Sequence, residues 1–260
     1  VKLVRVLGNL TTKEFDPILM LDSFDSINPD DYTAGFPMHP HRGIETISYV
    51  SRGKMVHRDS LGNEAGISDG EVQWMNSGSG IMHEEMVPAA ERLLGVQLWL
   101  NLPAKDKMSK PSYNSIKNED IKEIEIEGGK IRLLAGKYGE HEGYKGDYLS
   151  MDYYDIHLNA DAEVTLTMEE DDSVMVFTLL GDVYIDGEHI EEKTAVKLTE
   201  GDSLTIKNGN EKAQVLYMNS RALNEPVAWA GPIVMNTQEE LQKAFLELRS
   251  NTFIKETAEY

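Results

Sequence analysis

Along most of the chain, apolar residues fall in short runs bounded by Gly, Asn, Asp or Ser, as in ETISYVSRGKMVHRDSLGN and SVMVFTLLGDVYIDGE. Runs of this length, with turn residues every few positions, predict many short strands joined by tight turns. One stretch predicts a helix. Thr237 and Glu240 form a capping-box pattern ahead of Leu241, Phe245 and Leu248, which places an amphipathic helix of about three turns over 237–250, in a packing role. A weak repeat runs through the strands. The sequence of apolar run, Gly, strand and turn around Gly53 and Asp69-Gly70 recurs around Gly181 and Glu200-Gly201-Asp202, and each copy returns to an apolar strand ending in Asn, QLWLN and VLYMN. Between the copies, LPAKDKMSKPSYNSIKNED is polar and carries two prolines, so it reads as a linker. The expected fold class is all-β: two tandem barrels, with domains at 1–118 and 119–260, the second closed by the helix.

Charge and composition narrow the function classes. The 260 residues hold 45 Asp plus Glu against 25 Lys plus Arg, a formal net charge of −20. Such a surface repels phosphate backbones and anionic bilayers, so neither nucleic acid nor membrane is an expected partner. No apolar run approaches the ~20 residues of a bilayer span. The opening VKLVRVLGNLTTKEF is too polar for a secretory leader, and a reducing cytoplasm is the expected location. With 0 cysteines, any metal must be held by His and carboxylates.

The chain has 7 histidines, unevenly placed. His39 and His41 lie in GFPMHPHRGIET, and His83 lies in GSGIMHEEM with Glu85 two residues on. In a strand, residues i and i+2 share a face, about 7 Å apart, so each pair aims into one space. Two such strands facing each other inside a barrel bring three imidazoles and a carboxylate together and leave coordination positions open. An isolated HxH is often a coincidence of a turn, but the second same-face pair and the flanking glycines argue for a site. Glu45, at i+4 from His41, competes with Glu85 as the carboxylate. His57 in MVHRDS is assigned no same-face partner and reads as a hairpin or supporting residue. In the second copy the matching offsets fall on Thr167, Glu169 and Gln214, and His157 and His189 stand alone, so that barrel is expected to lack metal ligands.

GFPMHPHRGIET, HRDSLGN, GEVQWMNSGSGIMHEE and QLWLNLP, with GDVYI, EGDSL and EPVAWAGPIVMNTQEE in the second half, resemble the pirin family, bicupins of the cupin superfamily. The second motif departs from the wider superfamily. Asn76 stands where a proline is usual, and four residues separate Gly78 from His83, which is ordinary within pirins. The resemblance implies His39, His41, His83 and Glu85 as ligands of one divalent ion, usually iron(II) although other first-row metals suit the same donors, and it favours Glu85 over Glu45. It implies a flavonol 2,4-dioxygenase of the quercetinase type, with Glu85 as base, a flavonol-like aromatic substrate and O2. Phe36, Trp74 and Trp99 are candidates for an aromatic pocket. The alternative is an iron-dependent redox regulator acting through a protein partner. A monomer is expected, since two fused barrels already bury each other.

Overall fold

The computed structural model describes residues 1–199 and 201–257. Ten strands build the first part of the chain: β1 (Val4–Leu7), β2 (Ile18–Ser26), β3 (Phe36–His41), β4 (Ile44–Arg52), β5 (Lys54–Asp59), β6 (Glu64–Ser68), β7 (Glu71–Asn76), β8 (Ile81–Met86), β9 (Leu93–Asn101) and β10 (Ser112–Ile116). They pair antiparallel in two sheets, ordered β1-β2-β9-β4-β7-β10 and β3-β8-β5-β6. In β8 the inward positions hold buried Ile81, His83 and Glu85, alternating with half-exposed Met82, Glu84 and Met86. Strand β9 is buried at every residue. Its Leu93 joins a cluster with Phe24, Val50 and Met55, while its Trp99 packs with Leu19, Met20, Ile44 and Val234.

The second unit repeats the plan. Its strands are β11 (Lys122–Ile126), β12 (Gly129–Ala135), β13 (Lys137–Tyr138), β14 (His141–Glu142), β15 (Met151–Leu158), β16 (Glu163–Thr167), β17 (Asp172–Leu180), β18 (Val183–Ile185), β19 (Glu188–Ile190), β20 (Ala195–Lys197), β21 (Ser203–Asn208) and β22 (Ala213–Arg221). A six-stranded sheet, β11-β12-β15-β22-β17-β20, and a four-stranded one, β16-β21-β18-β19, enclose an apolar core that includes Ile131, Ile156, Val176, Val215 and Tyr217. Thr167 and Glu169 are exposed, and Gln214 donates to Asp155 Oδ1 at 2.8 Å. Glu200, matched to Asp69 by the repeat, lies outside the described residues.

The two compact units are Val1–Lys117 together with the segment from Leu223 onward, and Asn118–Ala222. This division differs from the expected 119–260 domain. The hairpin β23 (Ala228–Ala230) and β24 (Ile233–Met235) and the helix α1 (Gln238–Arg249) belong to the first unit. The helix forms where expected, with both halves of the Thr237–Glu240 capping box present and Leu241 and Ala244 buried. What ties its segment to the first unit is Arg42, only 2% exposed. Its guanidinium donates to the carbonyls of Ser79 (2.7 Å) and Phe253 (2.9 Å), pairs with Glu247 at 2.8 Å, and lies 4.2 Å from the centre of the Phe253 ring. The stretch read as a linker also belongs to the fold. Ser112–Ile116 is an edge strand on β7, and Lys107 is buried with its Nζ donating to Gly43 O (2.7 Å), Asn101 Oδ1 (2.5 Å) and Val234 O (3.2 Å). Burial pushes the Lys107 pKa down to about 7, against the pull of Glu225 and Glu240.

Candidate metal centre

Strands β3 and β8 are hydrogen-bonded neighbours in one sheet, with His39 directly opposite His83, and are not opposing walls of the barrel. The i, i+2 spacing and the pairing register together bring three rings into contact. Ring centres are 4.8 Å apart for His39–His41, 4.3 Å for His39–His83 and 5.0 Å for His41–His83. One nitrogen from each lies within 4.8 Å of the others, and this is the one group of three or more such side chains among the described residues.

Each ring is oriented from behind. His39 Nδ1 is 2.7 Å from the carbonyl of Pro37, and His41 Nδ1 is 2.9 Å from that of Pro232, so both donate at Nδ1 and present a bare Nε2. The two Nε2 atoms are 3.0 Å apart. Imidazole nitrogens ligate first-row ions at about 2.0–2.1 Å, so two adjacent ligands of one ion stand about 3 Å apart. His83 Nε2 is buried with no hydrogen-bond partner. An orphaned buried lone pair beside two convergent ones is what a metal would satisfy, and the donor set fits a divalent first-row ion. Burial depresses all three pKa values. His41, further opposed by His39 and only partly helped by the Pro232 carbonyl, falls to about 3, His83 falls well below the ordinary value, and His39 is lowered. Neutral imidazoles are the ligating form, so the site needs no proton release from these rings.

The two candidate carboxylates part company. Glu45 accepts from Trp74 Nε1 at 3.0 Å and belongs to the six-stranded sheet, outside the histidine group. Alternation counted from His41 fails because Arg42 and Gly43 interrupt the strand. Gly43 has φ +79°, and a Cβ there would run into the Val234 carbonyl. Glu85 is 1% exposed, with Oε1 accepting from Gln73 (2.5 Å) and Gln97 (3.0 Å). Its carboxylate likewise falls outside the three-histidine group. Burial raises its pKa to about 7, against the hydrogen bonds from Gln97, Gln73 and Ser48.

Several participants were missed in the sequence. His57 does have a same-face partner: its Nε2 lies 2.8 Å from Asp59 Oδ2, two residues on, and its Nδ1 lies 3.4 Å from His83 Nδ1. Tyr113 stacks on its face at 3.9 Å. Gln73 and Gln97 were signalled only as polar residues in apolar strands, and the Pro232 carbonyl had no signal. Of the aromatic candidates, Trp74 is buried against Glu45, Phe36 packs on the Phe24 cluster, and Trp99 meets His41 edge-on at 5.0 Å, with Trp229 at 5.5 Å beyond it.

Comparison with known proteins agrees with this architecture. Residues 1–100 match the Pirin family model and residues 153–254 match the Pirin C-terminal cupin domain. A pirin-like protein of Caulobacter vibrioides is 37% identical over 97% of this chain and 93% of its own length, and human pirin is 36% identical over 95% and 86%. The crystal structure of a quercetin 2,3-dioxygenase from Acinetobacter baumannii superposes with a TM-score of 0.89 at 31% identity, covering 96% of this chain and 91% of that one. With two cupin barrels and matches along nearly its whole length, the chain belongs to the pirin family.

Proposed function

We propose that the chain is a metal-dependent dioxygenase that opens a flavonol such as quercetin with O2, with His39, His41, His83 and Glu85 as ligands of one iron(II) ion. The observation that carries this reading is the convergence of three neutral imidazoles, with Glu85 buried two residues from His83 on the same face of β8. The name of the Acinetobacter relative supports the reaction class. An iron(II) ion bound there would supply a Lewis-acidic position for the 3-hydroxyl oxygen and a place where O2 meets the organic substrate.

Three neutral imidazoles and one carboxylate leave such a centre near +1, so an anionic oxygen is attracted into an otherwise acidic protein. Glu85, once an oxygen is released from the ion, would accept the 3-hydroxyl proton as a general base and later return it. Gln73 and Gln97 both donate to Glu85 Oε1 and so fix the orientation of the carboxyl group. Trp99, which meets His41 edge-on, and the half-buried Trp229 beyond it border the site with aromatic rings. In the overall reaction both oxygen atoms enter the product and one ring carbon leaves as carbon monoxide.

The test is oxygen uptake and carbon monoxide release by iron-loaded protein on quercetin. Uptake matching flavonol loss is expected. Flavonol loss that persists without O2, or no uptake at full iron occupancy, overturns the reading, and the second result favours the regulator that acts through a protein partner. Glu85→Gln should keep part of the metal and lose turnover, and unchanged quercetin consumption removes Glu85 as the base.

A further inference from the structure

The metal ligands account for His39, His41 and His83 but leave a buried chain of polar groups behind His83 without a role. His57 and His83 are 0% and 1% exposed. Their Nδ1 atoms are 3.4 Å apart, and His57 Nε2 is 2.8 Å from Asp59 Oδ2. Asp59 is itself fixed by the turn that follows it. Its Oδ1 accepts from the backbone N–H of Leu61 (2.9 Å) and of Asn63 (3.1 Å), and Asn63 Nδ2 donates to both oxygens. On the far side, His83 Nε2 has no partner.

We propose that Asp59 and His57 are positioning residues that set the tautomer and orientation of His83, so that its Nε2 lone pair is free for a metal ion; this rests on the metal centre proposed above. The hydrogen inventory supports it. A carboxylate only accepts, so the hydrogen between Asp59 and His57 sits on His57 Nε2. When His57 carries a single hydrogen, the one between the two Nδ1 atoms belongs to His83, and His83 Nε2 is bare. Every polar atom along the chain is satisfied except the one that faces the other two histidines. The Tyr113 ring, stacked on His57 at 3.9 Å and 11° between planes, holds the middle ring in its plane.

The direction of a substitution follows. In Asp59→Asn the Oδ1 position must stay oxygen, because two backbone N–H groups point at it. The amide NH2 therefore faces His57 Nε2, and Asn63 Nδ2 must give up its bond at that position and keep only the one to Oδ1. His57 must carry its hydrogen on Nδ1, His83 must accept there, and the His83 hydrogen moves to Nε2, where it blocks the metal. A near-isosteric change thus reverses the whole chain.

Long-range 1H–15N spectra of chelator-treated, full-length protein labelled at histidine read the tautomer directly. His83 protonated at Nδ1 is expected in the wild type and at Nε2 in Asp59→Asn. His83 found protonated at Nε2 in the wild type overturns the proposal without recourse to any variant. Titration with Co(II) against a competing chelator gives the second readout. Asp59→Asn should weaken binding about 10–100-fold in the wild-type background, yet have no further effect in a His57→Phe background, where Tyr113 still has a ring to stack on. Equal losses in both backgrounds assign Asp59 to turn structure alone and overturn the relay. His83→Ala separates this from the metal reading. Undiminished Co(II) affinity in His83→Ala sinks the metal centre itself, whereas loss in His83→Ala with full affinity in Asp59→Asn sinks only the positioning role.

Discussion

Acidification should pull the stability of the metal-free protein in two directions at once, and single variants should separate them. His41 titrates near 6.5 when unfolded and near 3 when folded, because burial disfavours its charged form. Its folded pKa is depressed, so the unfolded chain binds the extra proton and stability falls as pH drops below about 6.5, continuing down to about 3. Between pH 7 and pH 5 this amounts to about 2 kcal/mol, at 1.36 kcal/mol per unit of difference. Glu85 has the opposite sign. Its folded pKa of about 7 exceeds the unfolded 4.5, so the folded state takes up the proton first and gains about 2 kcal/mol over the same interval. Urea unfolding of chelator-treated protein at pH 7 and pH 5 measures both. Relative to the parent, His41→Gln should remove about 2 kcal/mol of acid destabilisation, and Glu85→Gln should remove about 2 kcal/mol of acid stabilisation. A His41→Gln protein whose unfolding free energy changes with pH as much as the parent's would refute the claim that a neutral imidazole is locked into this site.

Other substitutions test the packing that supports the centre. Arg42→Ala leaves the Ser79 and Phe253 carbonyls and Glu247 without their cation, so a loss of about 3–5 kcal/mol is expected, with faster hydrogen exchange over 223–257; unchanged exchange there would separate Arg42 from the docking of that segment. Gly35→Ala places a side chain at φ +62° against the Glu85 carbonyl, so a loss of about 2 kcal/mol or more should appear in thermal unfolding. Ile156→Ala, in the core of the second unit, should cost about 2–5 kcal/mol yet leave metal content at equal protein concentration unchanged; lost metal would mean that this core supports the site.

The local pattern was enough for much of this protein. Turn residues between short apolar runs specified strands, and the Thr237–Glu240 pair specified the start of the helix, because both signals act within a few residues. The i, i+2 spacing of His39 and His41 likewise placed two rings on one face, since the pleat of a strand is local geometry. The same rule was available for His57 and Asp59. Alternation misassigned Glu45 because it presumes an unbroken strand, and Gly43 in the left-handed region ends that strand. What lay beyond local rules was every relation across long separations. His39 meets His83 through strand register, His41 is oriented by a carbonyl 191 residues away, and the C-terminal segment joins the first unit through Arg42. Composition identified which side chains can hold a metal, because cysteine is absent and histidine is scarce. Tertiary structure alone decided which of their nitrogens are left without a hydrogen bond, because that depends on partners brought together only when the sheets close.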